Sequence, residues 1–323
     1  MGMLIVNNIM IIGFHMSMGA KILNTLSDHS TCTVAFHGIA AVIGIVVSTP
    51  RTLSHVTSMG VFSAVCMGIA IVLCLAFAGI EPYPGAKYPA LGAVYTKAGP
   101  GSPGLVHGFN AVLSITFLWR QILYPCFIAE MKEPRGFPKA LAALTVLEMV
   151  LFLVVSVVGY HYLEQYAEAP MVGSLLDVKH RKAVFSFVIV PTVIIGAIYS
   201  NVTVKHSNTA VGRVWWIAIT EVVWAIGFVL GNVILSMGDP RSILSAAFDS
   251  FFGFIFWSAA YFHLYRGCLF KGVFQTLMTL LNIFVFLFGL FILGPGMYTT
   301  VEAIIIDYSG PVKSPFACEN NDL

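Results

Sequence analysis

Charge is what this sequence lacks. Of 323 residues only 10% are Asp, Glu, Lys or Arg, with 17 basic against 15 acidic, while 58% are hydrophobic. A soluble domain carries about 25% charged residues. The shortage excludes a soluble enzyme, a disordered chain and a nucleic-acid binder, and a net charge of +2 gives no hold on a polyanion. Regular alternation of polar and apolar residues is missing too, which argues against a membrane β-barrel. No CxxC pair occurs among the cysteines at 32, 66, 74, 126, 268 and 318, so neither a zinc site nor a thioredoxin-like motif is present. There is no P-loop, no G-x-S-x-G and no HExxH, hence no support for ATP-driven transport or an intramembrane hydrolase. The start, Met1 to Ile12, is apolar without a basic n-region or an A-x-A site, and Val6 breaks the myristoylation pattern.

What is present is a series of long apolar runs. A spanning helix needs about 20 such residues. Nine runs qualify, lettered A to I: Met3–Leu23, Thr31–Ser48, Ser58–Ile80, Leu105–Ile128, Lys139–Tyr160, Val184–Val204, Val214–Ser236, Ile243–Tyr265 and Val273–Tyr298. The longest connections, Glu81–Gly104 and His161–Ala183, are too short for a separate soluble domain. The expectation is one transmembrane domain over 1–298 and a polar C-terminal tail over 299–323. Basic residues divide evenly between the two sets of alternate loops. Acidic residues crowd one set, with Asp28, Glu81, Glu164, Glu168, Asp177 and Asp239 on one side and Glu130 and Glu133 on the other. That balance turns the Glu130 side toward the cytoplasm.

Charges deep in a span are costly, so they tend to be paired or functional. Arg120 in D, Glu148 in E, Glu221 in G and Asp249 in H qualify. Each acid alone is compatible with structural pairing; as a set they suggest a substrate or proton path. Run D is the most polar, reading Gly108-Phe109-Asn110, Ser114, Thr116, Trp119-Arg120-Gln121 and Tyr124-Pro125. Pro125 frees a backbone carbonyl about one turn earlier. Such a group survives at membrane depth only inside protein or beside a cavity, and transporters use broken helices to offer it to substrate. A plain proline kink is the other reading, and the better one for Pro191 in F. His15 and His37 stand among apolar residues with no partner at i+4, so no metal or other cofactor is expected. The G-x-G-x-x-G match at Gly99–Gly104 is a proline-rich turn cluster, and Gly227 with Gly231 reads as close helix packing. The sequon at Asn201 faces the cytoplasm on this orientation.

Three strings carry a likeness. The first is Asn24-Thr25-Leu26-Ser27-Asp28-His29 with Thr31-Cys32-Thr33, followed by Ser48-Thr49-Pro50-Arg51-Thr52-Leu53. The second is Phe127-Ile128-Ala129-Glu130-Met131, then Pro134 and Phe137-Pro138-Lys139-Ala140-Leu141. The third is Phe248-Asp249-Ser250-Phe251-Phe252-Gly253-Phe254-Ile255-Phe256-Trp257. In this order and spacing they resemble the amino acid/auxin permease family of the APC superfamily, especially the neutral amino acid permeases of filamentous fungi. The likeness runs through nearly the whole chain.

The resemblance implies an all-α polytopic transmembrane bundle of the LeuT type, in which two inverted repeats of five helices precede an extra helix. Run A then matches the third family helix and D the sixth, the broken helix of the second repeat. The family's first two helices are not matched, so the expected bundle is N-terminally incomplete, with about nine helices. The implied activity is proton-coupled symport of neutral amino acids across a lipid bilayer, at the plasma membrane in preference to the vacuolar membrane. The implied substrate-binding residues are His15, Ser114, Thr116, Arg120, Gln121 and Tyr124, with Glu148 and Asp249 as proton-coupling candidates. Arg120 stands where the family tends to carry a small residue, and could hold a substrate carboxylate or plug the site. By the resemblance Cys32 and Cys318 would both face outward, an oxidising side, and a disulfide between them is expected, with two free thiols as the alternative. The alternative expectation is a transport-inactive paralogue or incomplete gene product, acting at most as a membrane scaffold.

Overall fold

In lipid a backbone must satisfy its hydrogen bonds within its own segment, and the described residues of the nine apolar runs accordingly fall largely on helix. The computed structural model describes residues 2–49, 53–81, 104–118, 122–168, 170–203, 209–235, 240–308, 316 and 318. In chain order the helices are α1 (Gly2–Ser27), α2 (Thr33–Val47), α3 (Leu53–Ile80), α4 (Gly104–Leu118), α5 (Tyr124–Glu130), α6 (Phe137–Leu163), α7 (Val178–Thr203), α8 (Ala210–Leu235), α9 (Pro240–Leu244), α10 (Phe256–Leu264) and α11 (Val273–Tyr308). A π-helical stretch, Ser245–Ile255, joins α9 to α10. No strand occurs among the described residues. Seven helices there are long and apolar enough to cross a membrane, and α2 and α4, at 15 residues each, are shorter apolar helices. The chain is an all-helical, multi-pass membrane protein.

Helix α1 is the hub, packed on α2, α7 and α8. Its crossing with α8 is a backbone contact. A Cβ on Gly13 would lie 2.9 Å from the Gly227 carbonyl oxygen, and one on Gly231 would lie 2.8 Å from the Gly13 carbonyl oxygen. The Ser17 hydroxyl sits 3.0 Å from both the Gly13 and Gly231 carbonyl oxygens. Gly227 and Gly231 thus serve packing inside the chain, as small residues do in membrane helices. The α1–α7 pair is antiparallel: Asp28 at the end of α1 meets Lys182 at the start of α7 at 2.6 Å, and Gly196 later in α7 lies against His15 earlier in α1.

Trp224 of α8 locks α2 and α7 to this hub. Its indole fills a slot between Gly44 and Gly196, and its Nε1–H lies 3.2 Å from the hydroxyls of Ser48 and Ser200. A second group, α4, the π stretch and α11, packs around Phe109, Leu113, Ala246 and Ile292. Here too α11 approaches through glycines: a Cβ on Gly289 would lie 2.8 Å from Phe254 and Ile255 side-chain atoms.

One end of the bundle carries the C-termini of α1 and α3 and the N-terminus of α7. There Glu81 accepts from the Leu176 and Asp177 backbone N–H groups at 2.6 and 3.2 Å, and from His180 Nδ1 at 2.6 Å. The Phe77 ring stacks on His180 at 4.0 Å. Cys32, the residue before α2, is joined by a disulfide to Cys318, 286 residues later. By contrast α6 is almost bare, with Gly159 and Leu163 its buried residues among those described. Helix α11 runs on to Tyr308, past the boundary expected at 298. Thr299 and Thr300 are buried, and the Thr299 hydroxyl donates back to the Pro295 and Gly296 carbonyls, which satisfies it without water.

Candidate functional site

Run D carries two helices: α4 is described to Leu118, Ile122 and Leu123 form a turn, and α5 starts at Tyr124 with Pro125 in its first turn. Proline suits that position because its fixed φ begins a helix and the first amides have no intrahelical partner. The Leu123 carbonyl then receives the Cys126 and Phe127 N–H groups at 3.0 and 3.1 Å. Arg120 and Gln121, expected in the binding site, lie outside the described residues.

The turn is buried in protein. Ile122 and Leu123 belong to the main core with Ile9, Ile12 and Met16 of α1, Tyr199 of α7, Trp224 of α8, and Leu244 and Phe248 at and beside the π stretch. Irregular backbone at membrane depth needs such cover. Helix α1 reaches α4 here through an edge-to-face contact of Phe14 with Phe117, centroids 5.8 Å apart.

The expected site residues distribute around this turn as follows. His15 is half-buried on α1. Its Nδ1 lies 2.9 Å from the Ile11 carbonyl, which can only accept, so Nδ1 carries the proton. Ser114 is partly buried on α4. Thr116 is buried, and its hydroxyl contacts the Leu113 carbonyl at 2.9 Å and the Ser245 hydroxyl. Tyr124 is partly buried and edge-to-face with Phe137, and Glu148 is partly buried on α6. Asp249 sits in the π stretch with 3% exposure. The two coupling candidates lie on separate elements, Glu148 on α6 and Asp249 in the π stretch. Glu221, counted among the intramembrane charges, is exposed on α8, away from this core. His37 is fully buried on α2, its Nδ1–H donated to the Thr33 carbonyl at 3.0 Å. Among the described residues no group of three His, Cys, Asp or Glu side chains could hold a metal ion.

Ser245 was not singled out by the sequence. Its link to Thr116 spans 129 residues, and an isolated serine in an apolar run carries no local sign of it. The π stretch was equally silent, since i→i+5 bonding has no distinct hydrophobic period.

No family model matches the chain, and no solved structure matches it. Curated proteins do. It is 26% identical over 333 aligned residues to a protein of Neurospora crassa named N amino acid transport system protein, covering 98% of this chain and 70% of that protein. It is 25% identical to a transmembrane transporter of Fusarium pseudograminearum and 23% to one of Gibberella moniliformis, covering 92% and 93% of this chain. This chain spans 66% of the length of each of those two. An all-helical membrane protein with a buried turn inside one of its apolar runs is thus similar, along nearly its whole length, to proteins named as transporters.

Proposed function

We propose that this chain is a secondary active transporter of neutral amino acids driven by the proton gradient. The observation that carries the reading is the turn at Ile122–Leu123 within run D, buried in the core formed with α1, α7 and α8. A break in that place exposes helix ends whose dipoles and unpaired backbone groups suit a zwitterion. Helix N-termini and Arg120 meet the substrate carboxylate, and freed carbonyls meet its ammonium. Ser114, Gln121 and Tyr124 line the site, and His15 faces it from α1. Asp249 and Glu148 are the coupling candidates. The name of the Neurospora crassa relative agrees with amino acid transport. The membership of the amino acid/auxin permease family and the inverted-repeat arrangement belong to the same proposal, as does the plasma membrane as its location.

The test is uptake by proteoliposomes of labelled neutral amino acids under an imposed pH gradient. Uptake that rises when the outside is acid, and collapses with a protonophore, is the expected result. Uptake indifferent to the gradient would remove the coupling, and no uptake together with no binding would remove the transport reading. One observation favours a second reading. Among the described residues α6 buries only Gly159 and Leu163, which leaves it a long exposed apolar face, as in a chain serving as a scaffold within a larger membrane assembly. Purified protein that binds no labelled neutral amino acid would favour it.

A further inference from the structure

Beyond α11 the chain comes back to the hub. Cys318 is bonded to Cys32, the residue before α2, and two residues earlier the Phe316 ring lies 6.2 Å, centroid to centroid, from Phe228 of α8. That separation is an aromatic contact. Phe228 is half-buried and packs on the main core, beside the Gly227–Gly13 crossing of α8 with α1. Phe316 does not earn this seat by its own packing. Its φ is 60°, a left-handed conformation that is an outlier for a bulky side chain. Its side chain stays 45% exposed, so little apolar burial offsets the backbone cost. Such a conformation persists only where the surroundings impose it, and the disulfide two residues on is what imposes it here.

The disulfide is within reach of a reductant. Cys318 is exposed and Cys32 partly buried, and thiol–disulfide exchange requires such access. Its two ends also belong to different packed groups. Cys32 and Phe228 sit with the hub of α1, α2, α7 and α8, whereas Cys318 follows α11, which packs with α4 and the π stretch. The bond and the Phe316 contact therefore strap one group to the other. Alternating access is largely the rocking of one helix bundle against another, and a covalent strap between two bundles resists it.

We propose that Cys32, Cys318 and Phe316 form a redox-sensitive autoinhibitory strap, closed as the disulfide and opened by a low-molecular-weight thiol. This adds regulation to the transport reading and rests on it. The thiolate of one such molecule attacks the exposed Cys318 sulfur, the Cys32–Cys318 bond breaks, and Cys32 leaves as a thiolate that takes up a proton. A second molecule attacks the sulfur of the first, and Cys318 is released as a thiol. Two external thiols become one external disulfide, and the protein gains two electrons and two protons. Phe316, no longer held, leaves Phe228, and the two groups are free to rock.

The experiment measures uptake of labelled leucine and phenylalanine by proteoliposomes, with and without dithiothreitol, for the parent, Cys32→Ser/Cys318→Ser and Phe316→Ala. Dithiothreitol should raise the maximal rate of the parent about threefold or more. The double serine variant should start at that higher rate and ignore the reductant. Phe316→Ala, which keeps the disulfide and so tests the strap even if the serine variant folds poorly, should be faster than the parent by about twofold or more. A parent rate that stays the same or falls on reduction would overturn the proposal, and so would a Phe316→Ala rate equal to the parent's. If the parent takes up and binds neither probe, the transport reading fails by itself. The strap is then judged by maleimide labelling of Phe228→Cys in detergent, with the Cys32–Cys318 bond verified by peptide mapping. Labelling about threefold or more faster when Phe316→Ala is added supports a ring seated on residue 228, and equal labelling refutes it.

Discussion

Gly44→Ala is a small change with a large expected cost. A Cβ at residue 44 would lie 2.0 Å from Cη2 and 2.2 Å from Cζ3 of Trp224. The indole cannot retreat, since a Cβ at Gly196 on its far side would already lie 3.2 Å from Cη2 and the side chain is 2% exposed. Overpacking of this kind costs about 1–3 kcal/mol. Pushing the ring away also breaks the Nε1–H contacts to Ser48 and Ser200, and a stranded buried donor costs about 1–3 kcal/mol more. Alanine returns about 0.5–1 kcal/mol of helix propensity. The net loss is roughly 3 kcal/mol, or roughly 5–10 °C in melting temperature by the scaling for single domains. The assay is a thermal melt of detergent-solubilised protein, followed by monodispersity on size exclusion. Gly38→Ala on the same helix is the control, because nothing lies within 4 Å of its added Cβ. Its melting temperature should match the parent or rise slightly. Trp224→Phe removes the atoms that clash, so the double variant Gly44→Ala/Trp224→Phe should be more stable than the two single losses predict. Gly44→Ala melting within 2 °C of Gly38→Ala, or strictly additive losses, would refute the slot.

Peptide mapping under non-reducing conditions should recover Cys32 joined to Cys318 and should alkylate the free Cys66, Cys74, Cys126 and Cys268 once unfolded; finding Cys32 and Cys318 both alkylated would sink the pairing. Glu81→Ala removes the acceptor of two backbone N–H groups and of His180, so amide exchange over residues 176–181 should quicken about tenfold or more while α8 stays unchanged. Uniform exchange across both helices would show that the carboxylate holds nothing in particular. Arg120→Gly should abolish uptake if that side chain holds the substrate carboxylate; uptake that rises would favour the plug reading instead.

The nine runs were legible because spans of about 20 apolar residues have almost no competing explanation in water. The interruption of D was legible from Pro125 and the polar string before it. The continuation of α11 beyond residue 298 was not. Thr299 and Thr300 read as the start of a polar tail, yet a threonine in a helix can bond the carbonyl three or four residues back and stay in a dry bundle. Glu221 shows the converse failure. Its place in an apolar run says how deep it lies along the helix and nothing of which way it faces. The Trp224 slot and the Ser245–Thr116 bond depend on partners more than a hundred residues away along the chain, or on two glycines whose small size acquires meaning only when an indole arrives. Single-sequence patterns hold local periods, and these contacts have none.

The bond between Cys32 and Cys318 turns the chain, from the turn after α1 to beyond the end of α11, into a covalent ring. Such a ring cannot close until the last helix has been threaded into the membrane, so its closure reports that synthesis of the bundle is finished. It also changes what a protease can do. One cut in any loop between residues 33 and 317 opens the ring without releasing a fragment, and the two pieces travel as one band until a reductant parts them.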